Sequence, residues 1–310
     1  MNRPPPHRPK RPGRRPAHPK GPDRRPDQPN RDDAPLRQGP ARGRPQQQDT
    51  RPDVRAHDGR HRRDILRIAG LPAVEALFAR APETVERLIV APDMAQAASA
   101  LLREATQRNI AHRIVPAEAL AKIAGTPLTG GIVAETSPRP AKPFDVGEAR
   151  VWASRWQPLI VLDGIGNPHN LGAIARTAAF FGLTHLAITD HPGQAAPSEA
   201  AYRVSEGGLV WLDVYRIHRL PDVLRKLGMF YTVVGTAIGT GAVMPMQKLA
   251  TGSKPVCLVL GNEEVGLAPA TLAVCEHVVT LPGTGKIQSL NVAATAAILI
   301  HAITGGFRPK

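Results

Sequence analysis

The sequence predicts an α/β protein whose larger part is built on a parallel β-sheet. Five short runs of apolar residues in the second half of the chain have the length of strands, and helical patterns separate them. Strands that are apolar throughout and alternate with helices are typical of parallel sheets covered by helices on both faces. A change of composition near residue 63 separates this folded part from an N-terminal segment of another kind.

The N-terminal segment, residues 1–63, is predicted to be a disordered basic tail. It carries 18 Lys and Arg against 7 Asp and Glu, an excess of 11 out of the net charge of +14, and it holds 14 of the 32 prolines. With no aromatic residue, it cannot bury enough apolar surface to offset its ordering entropy. Its Arg-Pro units are expected to attract RNA phosphates by counterion release, and a solubilising linker without a partner is the alternative.

Residues 64–137 are predicted to form a small α/β domain. A short strand, a helix with Val74, Leu77 and Phe78 at helical spacing, and a strand ending at Val90 come first. The helical pattern "MAQAASALLREATQRN", the strand "AHRIVPA", a short helix and the closing strand "GGIVAETSP" follow. The proline-containing residues 138–155 are predicted to be a linker.

Residues 156–310 are predicted to form the larger domain, with its ligand site at the carboxyl ends of parallel strands. The strand cores are "PLIVLDGI", "HLAITD", "MFYTVVGTA", "PVCLVLGN" and "EHVVTLPG". Three loops with unusual residues follow strands of this sheet. They are "DGIGNPHNLGAIART", "LGNEEVGL" and "PGTGKIQSLN".

In the first loop, Asn170 is predicted to be the N-cap of the helix "LGAIARTAAFFG". Arg176 falls outside the apolar stripe of that helix, and its helical neighbours Gly172 and Ala179 are small. A guanidinium in this place is open to an anionic ligand. A surface salt bridge for Arg176 and simple capping by Asn170 are the alternatives.

In the second loop, a strand delivers the adjacent acids Glu263 and Glu264 between glycine-containing segments. A carboxylate at the carboxyl end of a strand often performs polar or acid–base work. Two neighbouring side chains point in different directions, so at most one of them is expected to face the site. Solvation at the surface is the alternative for Glu264.

In the third loop, Gly283 and Gly285 precede Lys286 and a helix, as in a phosphate-binding loop. The spacing excludes the nucleotide-binding P-loop, which needs four residues between its glycines and a Gly-Lys-Ser/Thr end. Ser289 or Asn291 can cap the helix, and the glycines expose backbone groups that recognise an adenine edge as well as a phosphate. The partial dinucleotide-binding pattern "GIGNPHN" fails at its third glycine.

The two cysteines, Cys257 and Cys275, are embedded in apolar segments without metal-ligand spacing, so reduced packing residues are expected. The longest apolar run, residues 292–300, is too short to cross a bilayer. We therefore expect a cytoplasmic protein without a membrane partner or a metal site.

Taken together, "DGIGNPHNLGAIARTAAFFG", "LVLGNEEVGL" and "LPGTGKIQSLNVAATAAI" resemble the three motifs of the SpoU/TrmH branch of SPOUT methyltransferases, in the same order. The resemblance covers residues 156–310, and residues 64–137 are similar to the L30e-like substrate-binding domain of that family. It implies transfer of a methyl group from S-adenosylmethionine to a ribose 2′-hydroxyl of tRNA or rRNA. It also implies a trefoil knot in the larger domain and a homodimer.

The resemblance also implies roles for particular residues of this chain. The polar residues of the three motifs would form the catalytic site, and backbone positions near them would contact the cofactor. The implied catalytic residues are Asn170, Arg176, Glu263, Ser289 and Asn291, and the implied cofactor-binding residues are Thr236, Gly239, Gly261, Leu281 and Leu290. In this scheme Arg176 binds the target phosphate and helps to remove the hydroxyl proton. Arginine is poorly suited to the second role, because its high pKa keeps the guanidinium protonated.

Two other functions compete with ribose methylation. A knotted RNA-binding protein without catalysis would not need the complete set of motif residues. A SPOUT base methyltransferase would differ at the "SLN" sequence, which resembles the ribose branch. The sequence identifies neither the RNA nor the nucleotide that is modified.

Overall fold

The larger domain is a seven-stranded, fully parallel sheet in the computed structural model, which describes residues 64–237, 249 and 252–305. Its strands are β5 (Lys142–Pro143), β6 (Leu159–Asp163), β7 (His185–Thr189), β8 (Asp213–Ile217), β9 (Thr232–Thr236), β10 (Val256–Gly261) and β11 (His277–Val279). They lie in the order β11-β9-β10-β6-β7-β8-β5, and every pair of neighbours runs parallel. The predicted α/β class with a parallel sheet is confirmed.

Helices cover both faces of this sheet, because the central strands are apolar on both sides. One face packs against α5 and α10 through buried residues such as Leu162, Ile174 and Leu299. The other face packs against α4 and α8 through Trp152 and Leu224. The helices are α4 (Val146–Ser154), α5 (Pro168–Phe180), α6 (Glu199–Ser205), α7 (Gly208–Trp211), α8 (Leu220–Leu227), α9 (Pro269–Leu272) and α10 (Val292–Ile303).

The smaller domain contains a four-stranded mixed sheet in the order β1-β4-β2-β3. Strand β4 runs antiparallel to both β1 and β2, whereas β3 is parallel to β2. The strands are β1 (Leu66–Ala69), β2 (Val85–Val90), β3 (Ala111–Ile114) and β4 (Ile132–Thr136), and the helices are α1 (Leu71–Arg80), α2 (Ser99–Gln107) and α3 (Ala117–Ala124). Helix α2 is shorter than its sequence pattern predicts, because the 3₁₀ turn at Pro92–Met94 is followed by turn residues 95–98, which occupy the first part of that pattern.

The segment predicted as a linker, residues 138–155, is structured and packs on the larger sheet. Its proline-containing part forms the short edge strand β5, and helix α4 follows. Asp145 caps α4 by accepting a hydrogen bond from the Glu148 backbone N–H at 2.8 Å. Buried Ala149 and Trp152 form the apolar face of α4. The segment predicted as a linker therefore contains a helix, although prolines precede it.

The two domains share a single apolar cluster, which continues from β1 and α1 into α5, α6 and α7. Arg67 on β1 reinforces this junction. Its backbone N–H donates to Glu199 Oε1 on α6 at 3.1 Å, and its guanidinium lies 3.7 Å from Glu135 on β4. The smaller domain is therefore fixed against the helices that flank α5.

The trefoil knot stays a prediction, because residues 238–248 of the chain path lie outside the described residues. The L30e-like character of the smaller domain and the basic tail at residues 1–63 also stay predictions. Among the described residues, no helix has the length and apolar character that crossing a bilayer requires.

Candidate functional site

The first loop of the site begins where β6 ends and leads directly into α5. The N-cap of α5 is Asn167, whose side chain accepts a hydrogen bond from the His169 backbone N–H at 2.9 Å. Pro168 occupies the first helical position, where its fixed φ suits a helix start. The prediction that Asn170 is the N-cap is therefore wrong. Asn170 lies in the first helical turn, and its side chain is available for tertiary contacts.

Three predicted catalytic side chains, one from each loop, form a hydrogen-bonded cluster. Asn170 Nδ2 donates to Glu263 Oε1 at 2.5 Å, and Asn291 Nδ2 donates to Asn170 Oδ1 at 3.1 Å. The partners are 93 and 121 residues apart in the chain, so only the tertiary fold brings them together. We call Asn170, Glu263 and Asn291 the amide–carboxylate cluster.

Asn291 performs two functions in this arrangement. Its Oδ1 accepts a hydrogen bond from the Ala293 backbone N–H at 2.8 Å, which makes it the N-cap of α10, as the sequence allowed. Its Nδ2 is thereby directed toward Asn170. The Asn291 side chain can therefore cap α10 through its oxygen and bond to Asn170 through its nitrogen at the same time.

Asn262, which is not among the predicted site residues, helps to fix the position of Glu263. Its Nδ2 donates to the Gly164 carbonyl in the first loop at 2.8 Å. Its Oδ1 accepts hydrogen bonds from the backbone N–H groups of Glu264 and Val265 at 2.9 and 3.1 Å. An asparagine directly after a strand and before a glycine-containing turn is the signal that could have identified it. The Glu264 side chain is exposed, as expected for the acid that faces away from the site.

Arg176 lies two helical turns along α5 and hydrogen-bonds to none of the cluster among the described residues. Its Nη2 is 2.8 Å from Glu206 Oε2, and both side chains are about half exposed. Glu206 ends α6 in a left-handed conformation, with φ of 44°. The salt bridge that the sequence offered as an alternative is therefore present.

The backbone of α7 lies directly against that of α5 beside Arg176. A Cβ atom on Gly208 would lie 2.7 Å from Arg176 Cα and 2.9 Å from the Ala175 carbonyl oxygen, closer than real Cβ contacts allow. Only glycine fits this position without moving α5. The packing of Gly208 therefore helps to set the place of Arg176 in the site.

Two of the positions predicted to contact a cofactor, Thr236 and Gly261, lie at the carboxyl ends of neighbouring strands. Thr236 ends β9 and donates from Oγ1 to the Val259 carbonyl on β10 at 3.3 Å. Gly261 ends β10, where a Cβ atom would lie 2.5 Å from the backbone of Gly266 and Leu267. The second loop therefore requires glycine at residue 261 in order to fold back on itself.

The third loop is more open than the other two. Leu281 is half-buried against the main core, whereas Ser289 and Leu290 are exposed. Within the described residues, Ser289 forms no hydrogen bond to the amide–carboxylate cluster, although it is two residues from Asn291. The predicted cofactor contact at Gly239 lies outside the described residues.

The cysteines and metal-ligating side chains give no competing site in the part of the chain that the structure describes. Burial raises the pKa of the Cys257 thiol strongly and that of Cys275 to about 11, so both are protonated and poor nucleophiles at neutral pH. No group of three or more His, Cys, Asp or Glu side chains is arranged for a metal ion within the described ranges.

Comparisons with known proteins agree with this geometry. Residues 157–301 match the SpoU rRNA Methylase family, and residues 67–141 match the family described as RNA 2′-O ribose methyltransferase substrate binding. The 23S rRNA (guanosine-2′-O-)-methyltransferase RlmB of Acinetobacter baylyi is 31% identical over 235 residues, which cover 75% of this chain and 94% of that protein. RlmB of Haemophilus influenzae is 29% identical over 241 residues, covering 76% and 96%.

The fold of this chain is also similar to those of solved structures. The SpoU methyltransferase AviRb from Streptomyces viridochromogenes, in complex with the cofactor AdoMet, has a TM-score of 0.63 and 21% identity, covering 80% of this chain and 93% of that one. The AdoMet-bound rRNA methyltransferase from Sinorhizobium meliloti has a TM-score of 0.62 and 20% identity, covering 77% and 86%.

Proposed function

Since the chain belongs to the SpoU family of S-adenosylmethionine-dependent RNA ribose 2′-O-methyltransferases, we propose that it methylates a ribose of ribosomal RNA. Guanosine, the nucleoside in the names of the RlmB relatives, is the proposed target. The observation that carries the proposal is the amide–carboxylate cluster, in which one polar side chain from each of the three loops meets the others.

The proposed cofactor site is the carboxyl edge of β9, β10 and β11. The residues there fit a neutral adenine, because the loops present backbone groups at Gly261 and apolar side chains at Leu281 and Leu290. Thr236 closes one side of this edge, and Gly239 is proposed to line it. S-adenosylmethionine supplies a methyl group that its sulfonium already activates.

The proposed reaction is a direct displacement. The ribose 2′-oxygen would displace S-adenosylhomocysteine from the methyl carbon, so that the carbon–oxygen bond forms as the carbon–sulfur bond breaks, and the hydroxyl proton would pass to solvent. Asn170 and Asn291, together with Ser289, are proposed to orient the ribose. Glu263 holds the Asn170 amide, which leaves Asn170 Oδ1 facing Asn291. Most of the rate then comes from aligning the oxygen with the methyl group.

Arg176 is proposed to bind the phosphate of the target nucleotide. Its present partner, Glu206, is a carboxylate at the surface, and the side chains are 56% and 50% exposed. An exposed pair of this kind contributes little to stability, so an RNA phosphate can replace the carboxylate at small cost. Charge-assisted, bidentate contact with phosphate is what an arginine guanidinium provides best.

The experiment that tests this function combines the purified chain, S-adenosylmethionine carrying a labelled methyl group, and either ribosomal RNA or total tRNA. We expect label in ribosomal RNA at a ribose 2′-oxygen, located by resistance to alkaline cleavage. Arg176→Ala should reduce incorporation at least tenfold. Arg225→Ala is the matched control, because Arg225 also pairs with an exposed acid, Asp222, at 2.6 Å.

Three results would contradict the proposal. If the label were found only in tRNA, the proposal that ribosomal RNA is the substrate would be wrong. If the label were on a base, the proposal that the ribose is methylated would be wrong. No label in any RNA, together with no heat of S-adenosylmethionine binding by calorimetry, would favour an RNA-binding protein without catalysis.

A homodimer is also proposed. Phe180 on α5 and Ile298 on α10 are 77% and 41% exposed, on two helices that pack against each other. Apolar side chains on adjacent helices suit an interface between copies. The molar mass measured by light scattering should be twice that of one chain. The substitution Phe180→Asp should lower the measured mass toward that of the monomer. A monomeric wild-type chain at micromolar concentration would contradict this proposal.

A further inference from the structure

A second feature of the larger domain suits RNA and lies away from the amide–carboxylate cluster. It is a groove of about 230 Å³ between the end of α4 and the segments that precede β9 and β10. We call it the amino-edge groove. Its lining residues are Arg150, Ala153, Ser154, Trp156, Phe230, Ser253, Lys254 and Pro255.

The amino-edge groove and the catalytic site lie at opposite edges of the parallel sheet. Trp156 precedes β6, and Lys254 precedes β10, whereas Asn170 and Glu263 follow the carboxyl ends of the same two strands. A strand of six residues, the length of β10, spans about 20 Å. A ligand in the groove therefore cannot touch the reacting atoms, but a long polymer can reach both places.

Trp156 is held at the groove in a backbone conformation that normally favours glycine. Its φ is 56°, and its side chain is 58% exposed. The Trp156 N–H donates to the Ala153 carbonyl at 2.9 Å, and the next N–H, of Gln157, donates to the Trp152 carbonyl at 3.1 Å. The Tyr231 hydroxyl donates to the Gln157 carbonyl at 3.0 Å.

These bonds fix the peptide on both sides of Trp156. A large aromatic residue with positive φ is an outlier, and such strain concentrates at functional sites. Glycine would satisfy the same helix end without strain. The local fold thus gives no reason for an exposed indole at this position.

The charges around Trp156 are complementary to a polyanion. Arg150 is exposed and forms no salt bridge within the described part of the chain. Lys254 Nζ donates to the Gly228 carbonyl at 2.8 Å, which positions the ammonium without neutralising its charge. None of the lining residues is acidic. Exposed aromatic rings beside cations are the combination that binds single-stranded nucleic acid, through base stacking and phosphate contacts.

We propose that the amino-edge groove binds an unpaired nucleotide of the substrate RNA, with its base stacked on Trp156 and neighbouring phosphates paired with Arg150 and Lys254. This inference rests on the proposed function, because it takes RNA as the ligand. Since the groove is remote from the reacting atoms, it contributes to RNA affinity and leaves the chemical step unchanged.

The test compares Trp156→Phe, Trp156→Leu and Trp156→Gly in the full chain, with ribosomal RNA as substrate and a 12-nucleotide polyuridylate as a direct probe. We expect Trp156→Leu and Trp156→Gly to raise KM for RNA, and Kd for polyuridylate, about tenfold. Trp156→Phe should stay within threefold of wild type, and kcat should be unchanged in all three. Trp211→Leu, which changes a tryptophan 47% exposed outside the groove, is the matched control.

The glycine variant separates binding from folding. Because glycine relieves the strain, its unfolding temperature should be no lower than that of Trp156→Leu, while its RNA affinity falls equally. Arg150→Ala should reduce the slope of log Kd against log salt by about one.

The stacking proposal would be wrong if the Trp156→Leu variant bound RNA as tightly as wild type. It would also be wrong if this variant had a lower kcat at an unchanged KM. If wild type methylates RNA and every Trp156 variant keeps its KM, the groove proposal alone fails. If wild type neither binds nor methylates RNA, both proposals fail.

Discussion

Replacing Asn170 with alanine removes two hydrogen bonds that connect the three loops of the site. The bond to Glu263 has a carboxylate acceptor, and the bond from Asn291 joins two amides at 3.1 Å. Hydrogen bonds to charged groups contribute about 1.5–3 kcal/mol and neutral ones about 0.5–1.5 kcal/mol, and partial exposure favours the lower ends. If the active arrangement of the loops requires both bonds, restoring it in the variant should cost about 2 kcal/mol, which lowers kcat/KM about 30-fold.

The assay is methyl incorporation into RNA by wild type, Asn170→Ala, Glu263→Ala and the double variant. If the two side chains act through their shared bond, the double variant should be about tenfold more active than the product of the single effects predicts, a coupling of about 1.5 kcal/mol. Asn167→Ala is the control, because Asn167 caps the same helix without contacting the cluster. It should cost about 1 kcal/mol of stability and show no coupling to Glu263.

Additive effects of Asn170→Ala and Glu263→Ala, within about 0.3 kcal/mol, would refute this reasoning. An equal coupling between Asn167 and Glu263 would refute it as well. In that case the loops would depend on one another through folding rather than through the bond at Asn170.

Three further outcomes are expected. Asn262→Ala removes hydrogen bonds to Gly164, Glu264 and Val265 and should lower the free energy of unfolding by about 2 kcal/mol, measured by urea denaturation; an unchanged midpoint would contradict this. Glu206→Gln releases Arg176 from an exposed pair and should lower KM for RNA about threefold, whereas a higher KM would show that the carboxylate helps to bind RNA. Deleting residues 1–63 should weaken RNA binding and reduce its salt dependence, and unchanged values would leave the tail as a linker.

The sequence predicted the fold class because apolar periodicity reports which faces of a strand or helix are buried. Strands β6, β7, β9, β10 and β11 all lie within the predicted apolar runs. Strand β8, at Asp213–Ile217, is not among the predicted strands, because Asp213 and Arg216 interrupt its apolar pattern. Helix α4 lies in the segment predicted as a linker, because the prolines directly before it indicate irregular structure.

The N-cap of α5 follows from a local signal that the prediction of Asn170 does not use. Asn167 and Asn170 are both good N-cap residues, and Pro168 at the first helical position favours Asn167. The consequence is functional, because an Asn170 side chain used for capping could not bond to Glu263. Asn262 and Glu206 were missed for a different reason: their partners are distant in sequence or lie on another helix.

Neighbouring residues specify the alternation of strands and helices and the order of the three polar loops, so these features can be predicted from the sequence. Which polar side chains meet depends on the tertiary fold. It joined Asn170, Glu263 and Asn291, paired Arg176 with Glu206, and left Trp156 exposed at the opposite edge of the sheet. Hydrogen bonds across about a hundred residues depend on strand order and helix packing, and no local pattern encodes these.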